Sequence, residues 1–174
     1  MILSKNIFFK IFLSMLLCFS YSLVGYSQNS DSSSFEIPSV DLKTVDGLNF
    51  NSSAMTNQGK PIIIVFWKSC CKPNVSMLDA INEVYADWQK ETAVILFAVS
   101  IDDSRNAPNI GPLVNGKSWE FNVLLDVNSD LKRAMNVNAT PHVFILNKNR
   151  EVVWQKNTYI PGEEEEIYKI IKSL

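Results

Sequence analysis

The sequence lacks most of the motifs that mark cofactor and metal chemistry. It contains no G-x-G-x-x-G, no H-E-x-x-H and no C-x-x-C, and it has a single histidine, His142. Its formal net charge is only −2 at pH 7, so no excess of lysine and arginine indicates binding to nucleic acid or to an anionic membrane. We therefore predict no cofactor, no resident metal and no nucleic-acid partner.

The chain has only three cysteines: Cys18 is isolated in the sequence, whereas Cys70 and Cys71 are adjacent. With 174 residues, of which 47% are hydrophobic, the chain can bury a full core without the support of disulfides. The adjacent pair is therefore predicted to serve chemistry rather than stability.

The N-terminal segment has the three-part pattern of a secretory signal peptide. Lys5 and Lys10 give a basic start, an apolar run follows over 11–24, and small residues at Gly25 and Ser27 mark a cleavage site. The apolar run contains three serines and is shorter than the roughly 20 residues of a membrane span. This pattern predicts an exported protein, either periplasmic or secreted.

These signals divide the chain into three parts. We expect residues 1–27 to be a signal peptide that is removed, 28–34 to be a flexible leader rich in polar residues, and 35–174 to be one folded domain. Removal of the signal peptide also removes Cys18, and it leaves no stable membrane span.

Hydrophobic patterning over the remaining residues predicts alternating strands and helices. Continuous apolar runs at 62–67 and 93–101 are typical of strands buried on both faces, and the apolar spacing after Pro73 predicts an amphipathic helix. Residues 104–116, rich in Pro, Gly and Asn, are predicted to form a loop, with a weak helix as the alternative. With an antiparallel strand pair near the end of the chain, this order predicts an α/β fold with a mixed central sheet flanked by helices.

The segment from Phe66 to Asn74, F-W-K-S-C-C-K-P-N, resembles the active-site segment of the thioredoxin-like superfamily. It is most similar to the TlpA/ResA-type thiol-disulfide oxidoreductases and their redoxin relatives, in which an aromatic strand end precedes W-C-x-P-C at the start of a helix. Cys71 matches the first cysteine of that motif, K-P its central pair and Asn74 its second cysteine. Cys70 takes the place of the tryptophan.

A second match lies downstream, where the run A-T-P-H-V-F-I-L from Ala139 to Leu146 resembles the cis-proline loop and the following strand of the same family. The resemblance implies a thioredoxin fold in which a cis Thr140–Pro141 bond faces the cysteines. It also implies that the partners are protein thiols or disulfides, or extended peptide segments of an exported protein.

Cys71 is the predicted nucleophile, with assistance from Cys70. At a helix N-terminus, unpaired backbone N–H groups and the helix dipole favour a thiolate, which is the reactive species in disulfide exchange. We therefore expect the pKa of Cys71 to be lowered. The resemblance implies that substrate is bound by six residues: Trp67, Lys72, Pro73, Asn74, Thr140 and Pro141.

Two departures from the family pattern oppose an efficient general reductase. Asn74 replaces the second cysteine, so the usual C-x-x-C disulfide cannot form, and Met77 stands where ResA-type proteins usually have a glutamate for proton transfer. A Cys70–Cys71 disulfide is possible but strained, because adjacent Cα atoms lie about 3.8 Å apart whereas disulfides usually span about 4.4–6.8 Å.

Three other functions stay open at the level of sequence. The first is a redox-inactive thioredoxin-fold module that binds peptides or proteins. The second is a Cu(I) site formed by Cys70, Cys71, Met77 and His142, because soft ligands favour Cu(I). The third is a peroxidase-like redoxin, although no Thr or Pro precedes Cys70 at the spacing that such an enzyme needs.

Overall fold

The computed structural model describes residues 36–174. The predicted signal peptide (1–27) and leader (28–34) lie outside the described residues, so both stay predictions. Within 36–174, no helix is both long enough and apolar enough to cross a membrane.

The described residues form seven strands and four α-helices. The strands are β1 (Asp41–Thr44), β2 (Asn49–Asn51), β3 (Ile62–Trp67), β4 (Ile95–Ser100), β5 (Asn122–Leu125), β6 (His142–Leu146) and β7 (Val152–Lys156). The α-helices are α1 (Lys72–Thr92), α2 (Ile110–Lys117), α3 (Asp130–Ala134) and α4 (Glu164–Lys172).

All seven strands join one sheet in the order β2-β1-β5-β4-β3-β6-β7. Strands β3, β4 and β5 are parallel to one another, whereas β6 is antiparallel to β3 and β7 is antiparallel to β6. The β1–β2 hairpin joins the sheet through an antiparallel pairing of β1 with β5. This arrangement confirms the predicted α/β fold with a mixed central sheet flanked by helices.

Strand β3 lies near the middle of the sheet, and all six of its residues are buried. Its side chains alternate between two hydrophobic cores: Ile63, Val65 and Trp67 pack with residues of α1, α2 and α4, whereas Ile64 and Phe66 pack with Leu131 of α3. Full burial of a large apolar side chain stabilises a fold by about 1.5–3 kcal/mol. The two cores therefore make β3 a rigid element, and the cysteines directly follow its carboxyl end.

Residues 104–116 are not the loop that their composition predicts. A short 3-10 turn at Ala107–Asn109 leads into α2, in which Ile110 and Val114 are buried. Pro112 lies in the first turn of α2, where a proline is tolerated because the helix does not use its N–H group. Burial of one apolar face has therefore outweighed the local loop signals.

One segment matches the sequence pattern of a phosphate-binding loop, but the conformation of α2 excludes that function. Gly111 to Ser118 reads G-P-L-V-N-G-K-S, which is the G-x-x-x-x-G-K-S pattern. That function needs a loop before a helix N-terminus, with backbone N–H groups facing the phosphates. Here both glycines lie within α2, and Lys117 at its last turn forms an ion pair with Asp79 at 2.7 Å.

The helix that follows β5, α3, has only five residues. Its N-terminus is held by Asp126, which is 2% exposed. The Asp126 carboxylate accepts backbone hydrogen bonds from Asp130 (2.8 Å), Leu131 (3.3 Å) and Lys132 (2.8 Å). This carboxylate therefore satisfies N–H groups that the short helix leaves unpaired.

Candidate active site

The two cysteines lie in the short connection between β3 and α1. Cys71 is the N-cap residue of α1, with extended backbone angles (φ −108°, ψ 110°). Its N–H donates to the carbonyl of Lys68 at 3.3 Å, which closes a turn, and its carbonyl accepts from the N–H of Asn74 at 3.0 Å. The expected position of Cys71 at the start of a helix is therefore what the structure shows.

The thiols of Cys70 and Cys71 form a close pair on the surface. Their Sγ atoms lie 3.3 Å apart, both cysteines are free thiols, and Cys70 is exposed whereas Cys71 is partly exposed. A disulfide has an S–S distance of about 2.05 Å, so the two sulfur atoms need to approach by roughly 1.3 Å to bond. The side chains have thus already adopted rotamers that direct the two sulfurs toward each other.

The expectation of a lowered pKa at Cys71 is wrong for this dithiol. Its pKa is raised above the ordinary value, first by the hydrogen bond with the Cys70 thiol, then by partial burial and by charge repulsion from Cys70. Lys68 and the amide of Asn74 act in the opposite direction and are outweighed. The sequence argument considered the helix N-terminus but not a second thiol at 3.3 Å from the first.

Replacement of Cys70 is expected to lower the pKa of Cys71. Cys70→Ala removes the largest cause of the upward shift and a second, electrostatic one, while the lowering effects of Lys68 and Asn74 stay. A lower pKa increases the thiolate fraction near pH 7, so alkylation of Cys71 by iodoacetamide should reach its half-maximal rate at a lower pH than in the wild type. The control is Lys68→Gln, which should shift the midpoint upward; an unchanged or higher midpoint in Cys70→Ala contradicts the assignment.

Three of the six predicted substrate-binding residues are buried rather than presented at the surface: Trp67, Asn74 and Pro141. Trp67 is fully buried, with its indole edge-on to Trp119 at a centroid distance of 5.2 Å, and Asn74 is 1% exposed. Direct contact of these residues with a substrate stays a prediction. Trp67 ends β3 and Asn74 lies in the first turn of α1, so these two buried residues flank the cysteine segment in the chain.

Asn74 is also notable because its buried amide has no regular hydrogen bond. The amide lies close enough to Cys71 to lower the pKa of that thiol, yet neither its Oδ1 nor its Nδ2 has a partner at normal hydrogen-bond geometry. A buried polar group without a partner typically costs about 1–3 kcal/mol. The interaction that the structure gives this amide is therefore its effect on the Cys71 thiol.

The cis-proline loop lies beside the cysteine segment. The Thr140–Pro141 bond is cis, as the resemblance implied. Phe66 of β3 pairs with His142 at the start of antiparallel β6, so the residues before His142 lie next to the chain that leaves β3 toward the cysteines. Thr140 is partly exposed, whereas Pro141 is buried, so the loop presents Thr140 at this edge.

Lys72 and Pro73 are exposed in the first turn of α1. Both directly follow Cys71 in the chain, while Thr140 precedes β6, the strand that pairs with β3. These three are the predicted substrate-binding residues that the structure leaves accessible beside Cys70 and Cys71.

The structure separates two of the four residues that were considered for Cu(I). Met77 belongs to the hydrophobic core on the α1 side of the sheet. His142 is paired with Phe66 and stacks on Phe144 at 4.3 Å, and both phenylalanines belong to the opposite core. His142 also bonds Gln155 through Nε2 at 3.2 Å, so it faces away from the cysteines.

Asp102 is a part of the site that sequence reasoning missed. It follows β4, is 2% exposed, and accepts two hydrogen bonds from Ser69, the residue before Cys70: one from the backbone N–H at 2.9 Å and one from Oγ at 2.7 Å. A third hydrogen bond comes from Ser100 Oγ at 2.8 Å. The signal available in the sequence was an acidic residue directly after the apolar run at 93–101.

Comparison with known proteins identifies relatives by sequence. The AhpC/TSA family model matches residues 35–155. The chain is 22% identical over 117 residues to sporulation thiol-disulfide oxidoreductase A of Bacillus subtilis, a match that spans 67% of this chain and 69% of that protein. It is 27% identical over 95 residues to thiol-disulfide oxidoreductase ResA of Geobacillus kaustophilus, and here the match spans 55% of this chain and only 53% of the relative.

Solved structures give the same fold. An uncharacterized thioredoxin-like protein from Porphyromonas gingivalis is 47% identical, with a TM-score of 0.71 over 79% of this chain and 90% of that one. A secreted disulfide oxidoreductase from Mycobacterium tuberculosis, described as homologous to DsbE of E. coli, is 18% identical, with a TM-score of 0.64 over 78% of this chain and 96% of that one. The second likeness concerns the fold alone.

Proposed function

Because this chain belongs to the AhpC/TSA family of thioredoxin-like proteins, we propose that it exchanges thiols and disulfides through Cys71, with Cys70 as the resolving thiol. The relatives named as thiol-disulfide oxidoreductases support the general reaction. The single-nucleophile mechanism, the pairing with Cys70 and the export of the protein are our proposals for this chain.

The observation that carries the proposal is the 3.3 Å separation of the two Sγ atoms at the start of α1. Asn74 removes the usual second thiol, and a lone nucleophilic cysteine would stay trapped in a mixed disulfide with its partner. The adjacent thiol supplies a resolving group at 3.3 Å, and the strained disulfide that it forms is readily reduced again. An inert cysteine of structural origin would be buried, whereas these two are exposed and partly exposed.

The proposed exchange has two steps. The Cys71 thiolate attacks one sulfur of a substrate disulfide, forms a mixed disulfide and releases the other substrate sulfur as a thiolate, which takes a proton from water. Cys70 then loses its proton to solvent and attacks Sγ of Cys71, which forms the Cys70–Cys71 disulfide and releases the second substrate thiolate. The substrate gains two electrons, the protein dithiol loses two, and an external dithiol restores the protein.

We propose an exported protein thiol or disulfide, presented as an extended segment, as the substrate. The exposure of Lys72 and Pro73, which follow Cys71, and the partial exposure of Thr140 before β6 support binding of an extended chain at this edge. Export rests on the predicted signal peptide, and one of the structural neighbours is described as secreted. An oxidising compartment is where such exchange is useful.

The principal alternative is a thioredoxin-fold binding module that holds peptides without redox turnover. Asn74 and Met77 favour it, because the second cysteine and the family glutamate are both absent. Under this alternative, Cys71→Ser would capture a partner as well as the wild type does. The 3.3 Å thiol pair is the specific observation against it, since a groove for binding alone has no need of two converging free thiols.

The proposed function is tested by the reduction of insulin with dithiothreitol, using protein without residues 1–27. We expect the protein to accelerate the onset of turbidity above the uncatalysed rate, because Cys71 and Cys70 relay electrons from dithiothreitol to the insulin disulfides. Protein alkylated on both cysteines is the control and should give the uncatalysed rate. A wild-type rate equal to that of the alkylated protein would refute thiol-disulfide exchange and favour the binding module.

A further inference from the structure

We propose that Asp102 is a positioning residue that holds the two thiols in the geometry from which Cys70 resolves the mixed disulfide on Cys71. This inference rests on the proposed function, since it concerns the second step of the same exchange. Asp102 does not contact either sulfur through a hydrogen bond of its own; its effect is transmitted through Ser69.

The placement of Asp102 is that of a built-in anchor. Its carboxylate is almost completely buried, and each oxygen is occupied: Oδ1 accepts from Ser69 Oγ, and Oδ2 accepts from both the Ser69 N–H and Ser100 Oγ. Ser100 is itself 1% exposed, and its Oγ also accepts from the N–H of Asp102 at 3.1 Å. A buried carboxylate needs such partners, and here two of the three hydrogen bonds come from one residue of the cysteine segment.

Ser69 is the residue through which the anchor acts. The hydrogen bond from the Cys71 N–H to the Lys68 carbonyl closes a four-residue turn, in which Ser69 and Cys70 are the central pair. Asp102 therefore accepts hydrogen bonds from both the backbone N–H and the side-chain hydroxyl of Ser69, the first central residue of that turn. The direction of the Cys70 side chain depends on the backbone of the turn. The two hydrogen bonds from Ser69 to Asp102 therefore determine the position of Cys70 Sγ.

The anchor also ties the turn to the rigid part of the sheet. Asp102 follows β4, which is parallel to β3, and the N–H of Ile101 donates to the carbonyl of Trp67 at 2.9 Å. The pairing of the two strands thus continues to the point where Asp102 reaches Ser69. The cysteine turn is fixed on one side by its own covalent link to β3 and on the other by a buried carboxylate at the end of β4.

A carboxylate suits this position better than an amide of the same shape. All three groups that face it donate hydrogen bonds, and an ionised carboxylate only accepts. In Asp102→Asn, the amide NH₂ can replace Oδ1 only if the Ser69 hydroxyl reverses to accept, and hydrogen bonds to a carboxylate become weaker hydrogen bonds to a neutral amide, so the contacts with Ser69 and Ser100 weaken. Ser69→Ala removes only the Oγ contact and leaves the backbone contact in place.

The test separates the two steps of exchange by the use of less than one equivalent of dithionitrobenzoate, an aromatic disulfide that releases a yellow thiolate. The first release is bimolecular attack by a protein thiol; the second, independent of protein concentration, is displacement by the neighbouring cysteine as the Cys70–Cys71 disulfide forms. We expect Asp102→Asn to slow the second release about 100-fold and Ser69→Ala about tenfold, while the first release changes little.

Asp126→Asn is the matched control, because Asp126 is equally buried and also accepts hydrogen bonds from backbone N–H groups, but at the start of α3. It should leave the second release within about threefold of the wild type. An equal slowing in Asp126→Asn, or an unchanged second release in Asp102→Asn, would overturn the positioning role. If Asp102→Asn fails to fold, an unchanged second release in Ser69→Ala overturns it instead.

The failure of the proposed function gives a different result in the same experiment. If the wild type releases one thiolate per reagent molecule and no second, Cys70 does not resolve the mixed disulfide and the proposed exchange fails with it. If the wild type releases two but Asp102→Asn does so at the same rate, only the role of Asp102 is refuted.

Discussion

Cys71→Ser is expected to lower the rate of insulin reduction by at least about 100-fold, because it removes the nucleophile of the first step. The substitution should not harm folding. Cys71 is the N-cap residue of α1 and makes no side-chain capping hydrogen bond, whereas serine is a favoured N-cap residue that accepts one. Thermal unfolding should therefore show equal or greater stability, by up to about 1 kcal/mol.

Cys70→Ser is the matched comparison for this loss. It retains the nucleophile, so the first step should proceed, but the adduct should persist as a mixed disulfide on Cys71 that peptide mapping detects. If instead Cys70→Ser abolishes the first step while Cys71→Ser retains it, the exposed Cys70 is the nucleophile and our assignment of the two roles is reversed.

Asn74→Cys is expected to raise the turnover of insulin reduction about tenfold or more, since it restores a C-x-x-C motif. Residues three apart on a helix are neighbours, so a thiol at position 74 can reach Cys71 without the strain of an adjacent-residue disulfide. The variant also removes a buried amide that has no regular hydrogen bond, and cysteine is among the residues most often buried. We expect stability to rise by about 1–3 kcal/mol.

Asn74→Ala separates the two effects. It removes the same buried amide without adding a thiol, so its free energy of unfolding should also rise, while its turnover should not exceed that of the wild type because the amide that lowers the pKa of Cys71 is lost. Turnover in Asn74→Cys no higher than in Asn74→Ala would mean that position 74 cannot resolve a mixed disulfide on Cys71, contrary to what the helix geometry predicts.

The parts of the fold that the sequence predicts well are those with strong local patterns. Six consecutive apolar residues of β3, bounded by Pro61 and by Lys68, have only one reasonable interpretation as a buried strand. The apolar spacing of α1 is equally clear. By contrast, α2 is hidden by Pro112 and by two glycines, and only the burial of Ile110 and Val114 against other elements reveals a helix. Such burial is a tertiary effect that no local rule contains.

The candidate site shows the same division. The position of Cys71 at a helix start was predictable from the local pattern, and the cis Thr140–Pro141 bond was implied by the family resemblance. The role of Asp102 was not, since its partner Ser69 is 33 positions away and the contact exists only when β3 and β4 pair. The pKa of Cys71 was predicted in the wrong direction because the Cys70 side-chain rotamer, which places its sulfur at 3.3 Å, is not encoded locally.

The strand pattern at 62–67 predicted the burial of Trp67, whereas the family resemblance placed the same residue among those that bind substrate. Both faces of β3 are covered by hydrophobic cores, so a residue at the end of the strand lies inside the molecule even though the next residues are at the surface. Sequence similarity places this tryptophan in an active-site motif, but it does not distinguish residues that contact a substrate from those that support the segment.

The central claim is that Cys70 and Cys71 act together as one redox-active pair, and intact mass spectrometry tests it most directly. Reduced protein lacking residues 1–27 is mixed with one equivalent of glutathione disulfide and quenched with acid, and its intact mass is measured. We predict a product lighter than the reduced protein by two hydrogen atoms, with two glutathione molecules released and a Cys70–Cys71 disulfide in the peptide map. An unchanged mass, or a glutathione adduct on Cys71 that persists without release, would contradict the account.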